Sequence, residues 1–143
     1  MSGPVFVDTD VVLDLLARRE PFYPAVARFF SLVERKELTA CVSALTFANL
    51  FYLLRKELGA PKAVEVLRKL RRLVTVLPVD DSVIEHALAA GFRDFEDAIQ
   101  YHAALAGTAA CLITRNGRDY PNPAIPILTA EEFLAHLELI QSR

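Results

Sequence analysis

The chain has 143 residues, the size of one ordinary domain, and 53% of them are hydrophobic, enough to bury a substantial core without staples. A formal net charge of −2 excludes a global basic field that would attract nucleic acid, so any such partner must be met by a local patch. No run approaches the ~20 apolar residues of a membrane span, and no basic stretch followed by an apolar one opens the chain, so a soluble, cytoplasmic protein is expected.

There is no internal repeat, low-complexity tract or linker, so residues 1–143 are read as a single domain. Val5–Val7 is too short for a helix and rich in β-formers, which predicts a strand ending at Asp8. A helix is expected over 11–17, broken by Pro21 and Pro24. Pro24 then opens a second helix that runs to about Arg35. A second strand is expected over 38–42. Ser43 is placed to cap a strongly apolar helix that reaches Leu58, where Gly59 closes it. Pro61 begins a helix with Val64, Leu67, Leu70 and Leu73 on one stripe and Lys62, Arg68, Lys69, Arg71 and Arg72 off it, a pattern that reads as a solvated basic face. Val74–Leu77 is a third strand.

Asp80 or Asp81 caps a helix that ends before Gly91, and Asp94 caps the next, which ends near Gly107. A fourth strand is expected over 110–114 and a short fifth over 125–128. Thr129 caps a last helix to about Ile140. Wholly apolar strands alternating with helices predict an α/β fold with a parallel sheet covered on both faces. In such sheets the ligand site lies beyond the carboxyl ends of the strands. Cys41 and Cys111 sit in short apolar runs and are expected as buried thiols in a reducing compartment. His86, His102 and His136 are far apart in sequence and are expected on helix surfaces.

The acids at the strand ends stand out. Asp8 directly follows the first strand, with Thr9 and Asp10 behind it; a carboxylate there needs a cation or a donor, or else serves as a helix cap. Asp10 lies nearer the expected helix start and is the better cap. Asp94 and Asp97 are three apart and share a helical face, where acids also complement the helix dipole. The fourth strand leads into Thr114, Asn116 and Asp119, adding oxygen donors at the same edge of the sheet. Hard oxygen donors without histidine or cysteine suit Mg²⁺ or Mn²⁺, which also bind substrate phosphate.

The ordered segments Val5-Phe6-Val7-Asp8-Thr9-Asp10, Ser43-Ala44-Leu45-Thr46, Asp94-Phe95-Glu96-Asp97-Ala98-Ile99-Gln100 and Ile113-Thr114-Arg115-Asn116-Gly117-Arg118-Asp119-Tyr120 together resemble the PIN domain family. They also look like the toxin component of VapBC-type toxin–antitoxin pairs, down to the closing Ile127-Leu128-Thr129-Ala130-Glu131-Glu132-Phe133. The resemblance implies a three-layer α/β/α sandwich with a central, mostly parallel sheet of four to five strands. It also implies Mg²⁺- or Mn²⁺-dependent hydrolysis of RNA. It maps the metal-binding acids onto Asp8, Asp97 and Asp119, with Asp94 beside them and Thr9, Thr114 and Asn116 in support. An antitoxin segment would lie across the cleft, and the apolar helices starting near Pro24 and Ser43 would serve a homodimer. One position departs from the pattern: where the family usually carries a glutamate on the helix after the second strand, this chain has Asn49, and Asp94 is a candidate to compensate.

Two other readings stay open. Asp8-Thr9-Asp10 after an apolar strand also resembles the start of haloacid-dehalogenase-type phosphatases, with Asp8 as nucleophile, although Val11 replaces the usual small residue and no late acidic pair follows a strand. The loss of an acid at Asn49 would instead suit a PIN-like module that binds partners without metal. Arg115 and Arg118, which flank the site in sequence, are the candidates for RNA phosphate contacts.

Overall fold

The computed structural model describes residues 3–141. Five strands form its sheet: β1 (Val5–Val7), β2 (Ala40–Ser43), β3 (Val74–Leu77), β4 (Cys111–Ile113) and β5 (Ile127–Leu128). All neighbours pair in parallel, in the order β3-β2-β1-β4-β5. The three inner strands are buried throughout, which is why their sequence shows no polar alternation.

Successive side chains of a strand point to opposite faces, and this divides the core in two. Val5, Val7, Val42 and Ile113 face a core shared with α1 (Thr9–Leu16), α2 (Tyr23–Glu34), α3 (Ala44–Leu58), α4 (Ala60–Leu73) and α7 (Ala130–Gln141). Phe6, Cys41 and Leu112 face the other way, against α6 (Phe95–Ala106), which packs on α5 (Asp81–Ala89). The result is the three-layer α/β/α sandwich expected from the alternation of elements. Both cysteines are free and fully buried, and burial pushes the Cys41 thiol up to about 12 and that of Cys111 to about 11. Among the described residues no helix is long and apolar enough to cross a membrane.

Helix ends follow the expected caps. The Ser43 hydroxyl accepts the Thr46 N–H at 3.4 Å, Asp80 accepts that of Val83 at 3.0 Å, and Asp94 accepts that of Asp97 at 3.1 Å. Thr129 and Glu132 satisfy each other's backbone N–H groups in a capping box, at 3.1 and 2.8 Å. Gly107 ends α6 where a Cβ would come within 2.6 Å of Leu77 Cδ1, so a larger residue there would have to displace the end of the Leu77 side chain.

Some boundaries differ from expectation. Leu38 and Ile125 were assigned to strands but lie outside the ladder; they pack into the core from flanking loops, which an apolar pattern cannot distinguish from pairing. Helix α1 begins at Thr9 rather than Val11. Asp8, not Asp10, therefore takes its N-cap position, with the Asp8 carbonyl accepting the Val12 N–H at 3.1 Å. His102 is half-buried rather than on the surface, and its ring stacks on that of His86 with centroids 5.6 Å apart.

The strand order places the winding reversal beside β1. From β1 the chain moves outward through β2 to β3, then crosses to β4 and β5 on the other side. The crevice of such a sheet opens outside the carboxyl ends of the strands at this reversal, here β1 and β4. Asp8 and Thr114 are the first residues past those two ends.

Phe29 closes the seam between α2 and α7. It is 1% exposed and packs edge-on against Phe30 and Phe133, at centroid distances of 5.2 and 5.5 Å. Phe29→Ala should destabilise the protein by about 3–5 kcal/mol. Urea denaturation should show this as a lower midpoint with an unchanged slope.

Candidate active site

Asp8 is only 3% exposed, and the fold holds its carboxylate with neutral donors. Gln100 Nε2 donates to Oδ1 at 2.9 Å and Thr114 Oγ1 donates to Oδ2 at 2.8 Å. Although Asp8 occupies the N-cap position of α1, its side chain makes no capping bond, because its two oxygens are held by Gln100 and Thr114 instead. Burial raises its pKa, the bonds from Thr114 and Gln100 lower it in part, and Asp10 nearby raises it further.

Gln100 is oriented in turn. Its Oε1 accepts from Thr9 N at 2.9 Å and from Thr9 Oγ1 at 3.0 Å, which leaves the amide NH₂ to face Asp8. The Thr9 hydroxyl also meets that of Thr46 at 2.9 Å. Thr114 Oγ1 accepts the Asn116 N–H at 3.2 Å, fixing the start of the loop after β4. One hydrogen-bonded chain thus links β1, α1, α3, α6 and β4 through a single carboxylate.

Above this network opens a cleft of about 340 Å³. Asp8, Asp10, Asp94, Glu96, Asp97 and Asp119 all line it, together with Thr9, Asn49, Gln100 and Asn116, and Tyr52 and Leu53 form an apolar rim. Six carboxylates therefore share one opening, and among the described residues no basic side chain lines it. Asp97 shows the consequence. Burial, followed by repulsion from Asp8, Asp94, Asp119 and Asp10, pushes its carboxyl up to about 7. Glu96 is raised as well, by burial and then by Asp94, Asp10 and Asp8. Asp119 reaches the cleft from a 3₁₀ turn, Gly117–Asp119, that the Asn116-Gly117 pair initiates.

The sequence-expected residues thus divide. Asp8, Asp97, Asp119, Asp94, Asn49, Thr9 and Asn116 meet at the cleft, and Thr114 lies directly beneath it. Asp94 spends one oxygen capping α6 on the Asp97 N–H while still lining the wall. Arg115 is occupied elsewhere. Its Nε lies 2.9 Å from Oδ2 of the fully buried Asp14, and its guanidinium sits 4.0 Å over the Phe22 ring. Arg118 lies outside the acidic opening, in a small cleft shared with Arg93 and Asp119.

A family model described as PIN domain matches residues 4–118. The chain belongs to the PIN domain family. Ribonuclease VapC1 of Aquifex aeolicus (strain VF5) is 26% identical over 138 residues, covering 92% of this chain and 94% of that protein. Among solved structures, DNA-bound VapBC from Salmonella typhimurium is similar with a TM-score of 0.68 at 17% identity, over 90% of this chain and 99% of that one. VapC20 of Mycobacterium tuberculosis, a toxin that cleaves the sarcin–ricin loop, has a TM-score of 0.60 at 20% identity, over 76% of this chain and 86% of its own. These structural likenesses show a shared fold, and the family places the chain among PIN-type nucleases. The PIN assignment leaves no ground for the haloacid-dehalogenase-type reading.

Two residues that line this cleft escaped the sequence reading. Gln100 stands between Ile99 and Tyr101 on the packed side of α6, and a buried amide in that setting must have partners. Its partners lie more than 90 residues away, so spacing alone could not name them. Glu96 was hidden between two acids that seemed to suffice.

The raised carboxyl of Asp97 makes a stability prediction for the metal-free protein. Folded, the group holds its proton up to about pH 7, against an ordinary value of 3.8. Its contribution to stability is therefore fully present below that ordinary value and is lost as pH rises through about 7. Asp97→Asn removes the repulsion, so at pH 8 in chelator the variant should be the more stable. Allowing for the half-exposed site, the gain is on the order of 1 kcal/mol and fades towards pH 4. Thermal unfolding of both proteins across pH 4–8 measures it.

Proposed function

We propose that this PIN domain hydrolyses phosphodiester bonds of RNA with Mg²⁺ or Mn²⁺, and that it is the toxin of a toxin–antitoxin pair. The observation that carries the reading is the cleft at the winding reversal, where six carboxylates converge without a basic counter-charge. Like charges held together in a partly enclosed space repel one another, and a divalent cation is the partner that this donor set suits. Among the described residues no three of these acids stand close enough to hold an ion as they are. Binding would draw the less buried carboxylates inward by side-chain rotation, while Asp8 stays fixed by Gln100 and Thr114.

Asp8, Asp97 and Asp119 would hold the ion, which supplies positive charge at the scissile phosphate and at the attacking water. Asp8 offers a carboxylate of set orientation. Asp94 holds the first turn of α6, and with it the backbone that carries Asp97. Asn116 places an amide at the rim. Arg118, beside Arg93, is suited to a phosphate further along the strand, whereas Arg115 anchors its loop to Asp14. The relatives that are VapBC complexes support an antitoxin partner, and the exposed Tyr52 and Leu53 at the rim offer it an apolar seat. We place homodimerisation on the apolar helices α2 and α3.

Asn49 favours one other reading, a binding module without metal. RNA cleavage decides between the two. The wild-type protein should cleave RNA when Mg²⁺ or Mn²⁺ is present and stop when EDTA removes it. Asp8→Asn should lose at least about 100-fold in rate, beyond the 10–100-fold typical of an outer-shell partner, and Gln100→Leu should fall within that range. A wild-type protein indifferent to EDTA, or an Asp8→Asn variant of normal rate, would sink the nuclease assignment of this cleft.

A further inference from the structure

Two exposed aromatic rings stand near the acidic opening, Tyr52 on α3 and Phe95 at the start of α6. Their surroundings differ. Phe95 lies between Asp94 and Glu96, two of the acids that line the cleft. Tyr52 belongs to the α3 wall, which brings no acid to the cleft, and two cations stand over its ring. The Arg55 guanidinium is 5.4 Å and the Lys56 ammonium 4.6 Å from the ring centroid. Spacings of three and four residues place all three side chains on one side of the helix. Both cations are exposed, and among the described residues neither forms a salt bridge. Glu57, the only acid of α3, pairs with neither.

The fold gives this group a fixed place beside the cleft. Leu50 and Leu54 are buried and seat α3 on the core, while Tyr52, Arg55 and Lys56 remain in solvent. Strand β2, which leads into α3, and β4, which leads to Asp119, flank β1 on opposite sides. Tyr52 thus borders the cleft from the β2 side, and Arg93 and Arg118 share a small cleft with Asp119 on the β4 side. An opening lined by six carboxylates repels a polyanion, so a strand crossing it must be held at its margins. Unpaired cations grouped with an exposed ring suit a nucleotide, whose base stacks while its phosphates meet the cations. Cation–ring contacts are weak at an exposed site, so a base can displace a flexible cation from the ring at little cost.

We propose that Tyr52, Arg55 and Lys56 form a nucleotide subsite for single-stranded RNA entering this cleft. The Tyr52 ring stacks on a base beside the scissile phosphate, and the two cations take the phosphates beyond it. The inference rests on the reading of the cleft as an RNA nuclease site, and it requires no metal at Tyr52. Stacking accepts any base, so the subsite supplies affinity rather than sequence preference. The same contact is made before and during the reaction, so it lowers KM without raising kcat. Tyr52 is also part of the apolar seat offered to an antitoxin, so RNA and antitoxin exclude each other there.

Fluorescence anisotropy with a labelled RNA of about ten nucleotides tests this in Mg²⁺, on Asp8→Asn protein that holds the strand without cutting it at the normal rate. Adding Tyr52→Ala should weaken binding by between about fivefold and about a hundredfold, and Tyr52→Phe should keep it. An abasic ribose-phosphate strand of the same length should bind the Tyr52→Ala protein as tightly as its parent. Arg55→Ala/Lys56→Ala should weaken both strands and lower the slope of log affinity against log salt by about 1.4. With Asp8 intact, Tyr52→Ala should raise KM for cleavage and leave kcat in place. Thermal unfolding and light scattering follow the fold and the oligomeric state of each variant. Unchanged RNA affinity in Tyr52→Ala overturns the proposal, as does an equal loss for the abasic strand. A Tyr52→Ala protein that changes oligomeric state and keeps its RNA affinity gives the ring to a second copy of the chain instead. Cleavage by the wild type with an unaltered KM in Tyr52→Ala removes the subsite alone. A protein that neither binds nor cleaves RNA overturns the nuclease reading and this inference together.

Discussion

Placing the Asp8 carboxylate beyond the end of β1, almost wholly out of water, obliges the surrounding elements to supply donors. A buried anion normally finds a cation. The chain meets the need with an amide and a hydroxyl instead, at 2.9 and 2.8 Å. Neutral donors steady the carboxylate without cancelling its charge, so Asp8 remains an attractive ligand for an added cation. The arrangement holds only if Gln100 presents its NH₂ to Asp8, and that orientation follows from the two bonds Thr9 donates to its carbonyl. Thr46 then ties Thr9 to α3. The positions of four helices and strands around the cleft are in this sense consequences of one buried charge.

Two arginines are held by a second buried acid. Asp14 is inaccessible to solvent and holds Arg19 and Arg115, each with a nitrogen 2.9 Å from one of its oxygens. Phe22 stacks beneath the Arg115 guanidinium. Two basic groups from opposite ends of the sequence are thereby fixed behind the site rather than inside it. What remains at the mouth is strongly negative, although the protein as a whole carries a charge of only −2. Arg93 and Arg118 stand at the outer edge, where a phosphate could meet them without their entering the acidic cleft. On the proposed reading, an RNA strand would pass from this basic margin into an opening whose own charge repels phosphate unless a cation accompanies it.

Local chemistry was legible in the sequence wherever it was complete within a few residues. Ser43, Asp80, Asp94 and Thr129 each cap a helix through a bond to a residue three positions on, so the cap and its helix can be read together. Apolar runs buried on both faces marked the inner strands, and the alternation of strands and helices marked the layers. The same pattern overran the ladder at Leu38 and Ile125, because burial from a loop and burial from a strand require the same side chains. Residues whose meaning depends on distant partners were harder. Asp8 stands where a cap would stand and does something else, which only Gln100 and Thr114 reveal. Arg115 looked like a phosphate ligand until its partner, Asp14, was found on another element. Gln100 drew no attention because an amide is chemically quiet until its surroundings are known.

The acids of the cleft carry a cost that the fold absorbs elsewhere. Burial, and after it the repulsion between neighbouring acids, raises the carboxyls of Asp8, Glu96 and Asp97, which means that holding them charged costs the folded chain stability. The large apolar cores on both faces of the sheet supply the margin for this. A further acid at position 49 would add to the repulsion from the α3 side, where the wall is otherwise apolar. An amide there adds no charge to the crowding, and its buried Nδ2 finds no hydrogen-bond partner among the described residues. Asn49 therefore need not mark a site in decay. It fits a cleft whose negative charge comes from the other walls, with Asp8 and Asp10 after β1, Asp94 at the cap of α6, Glu96 and Asp97 in its first turn, and Asp119 after β4.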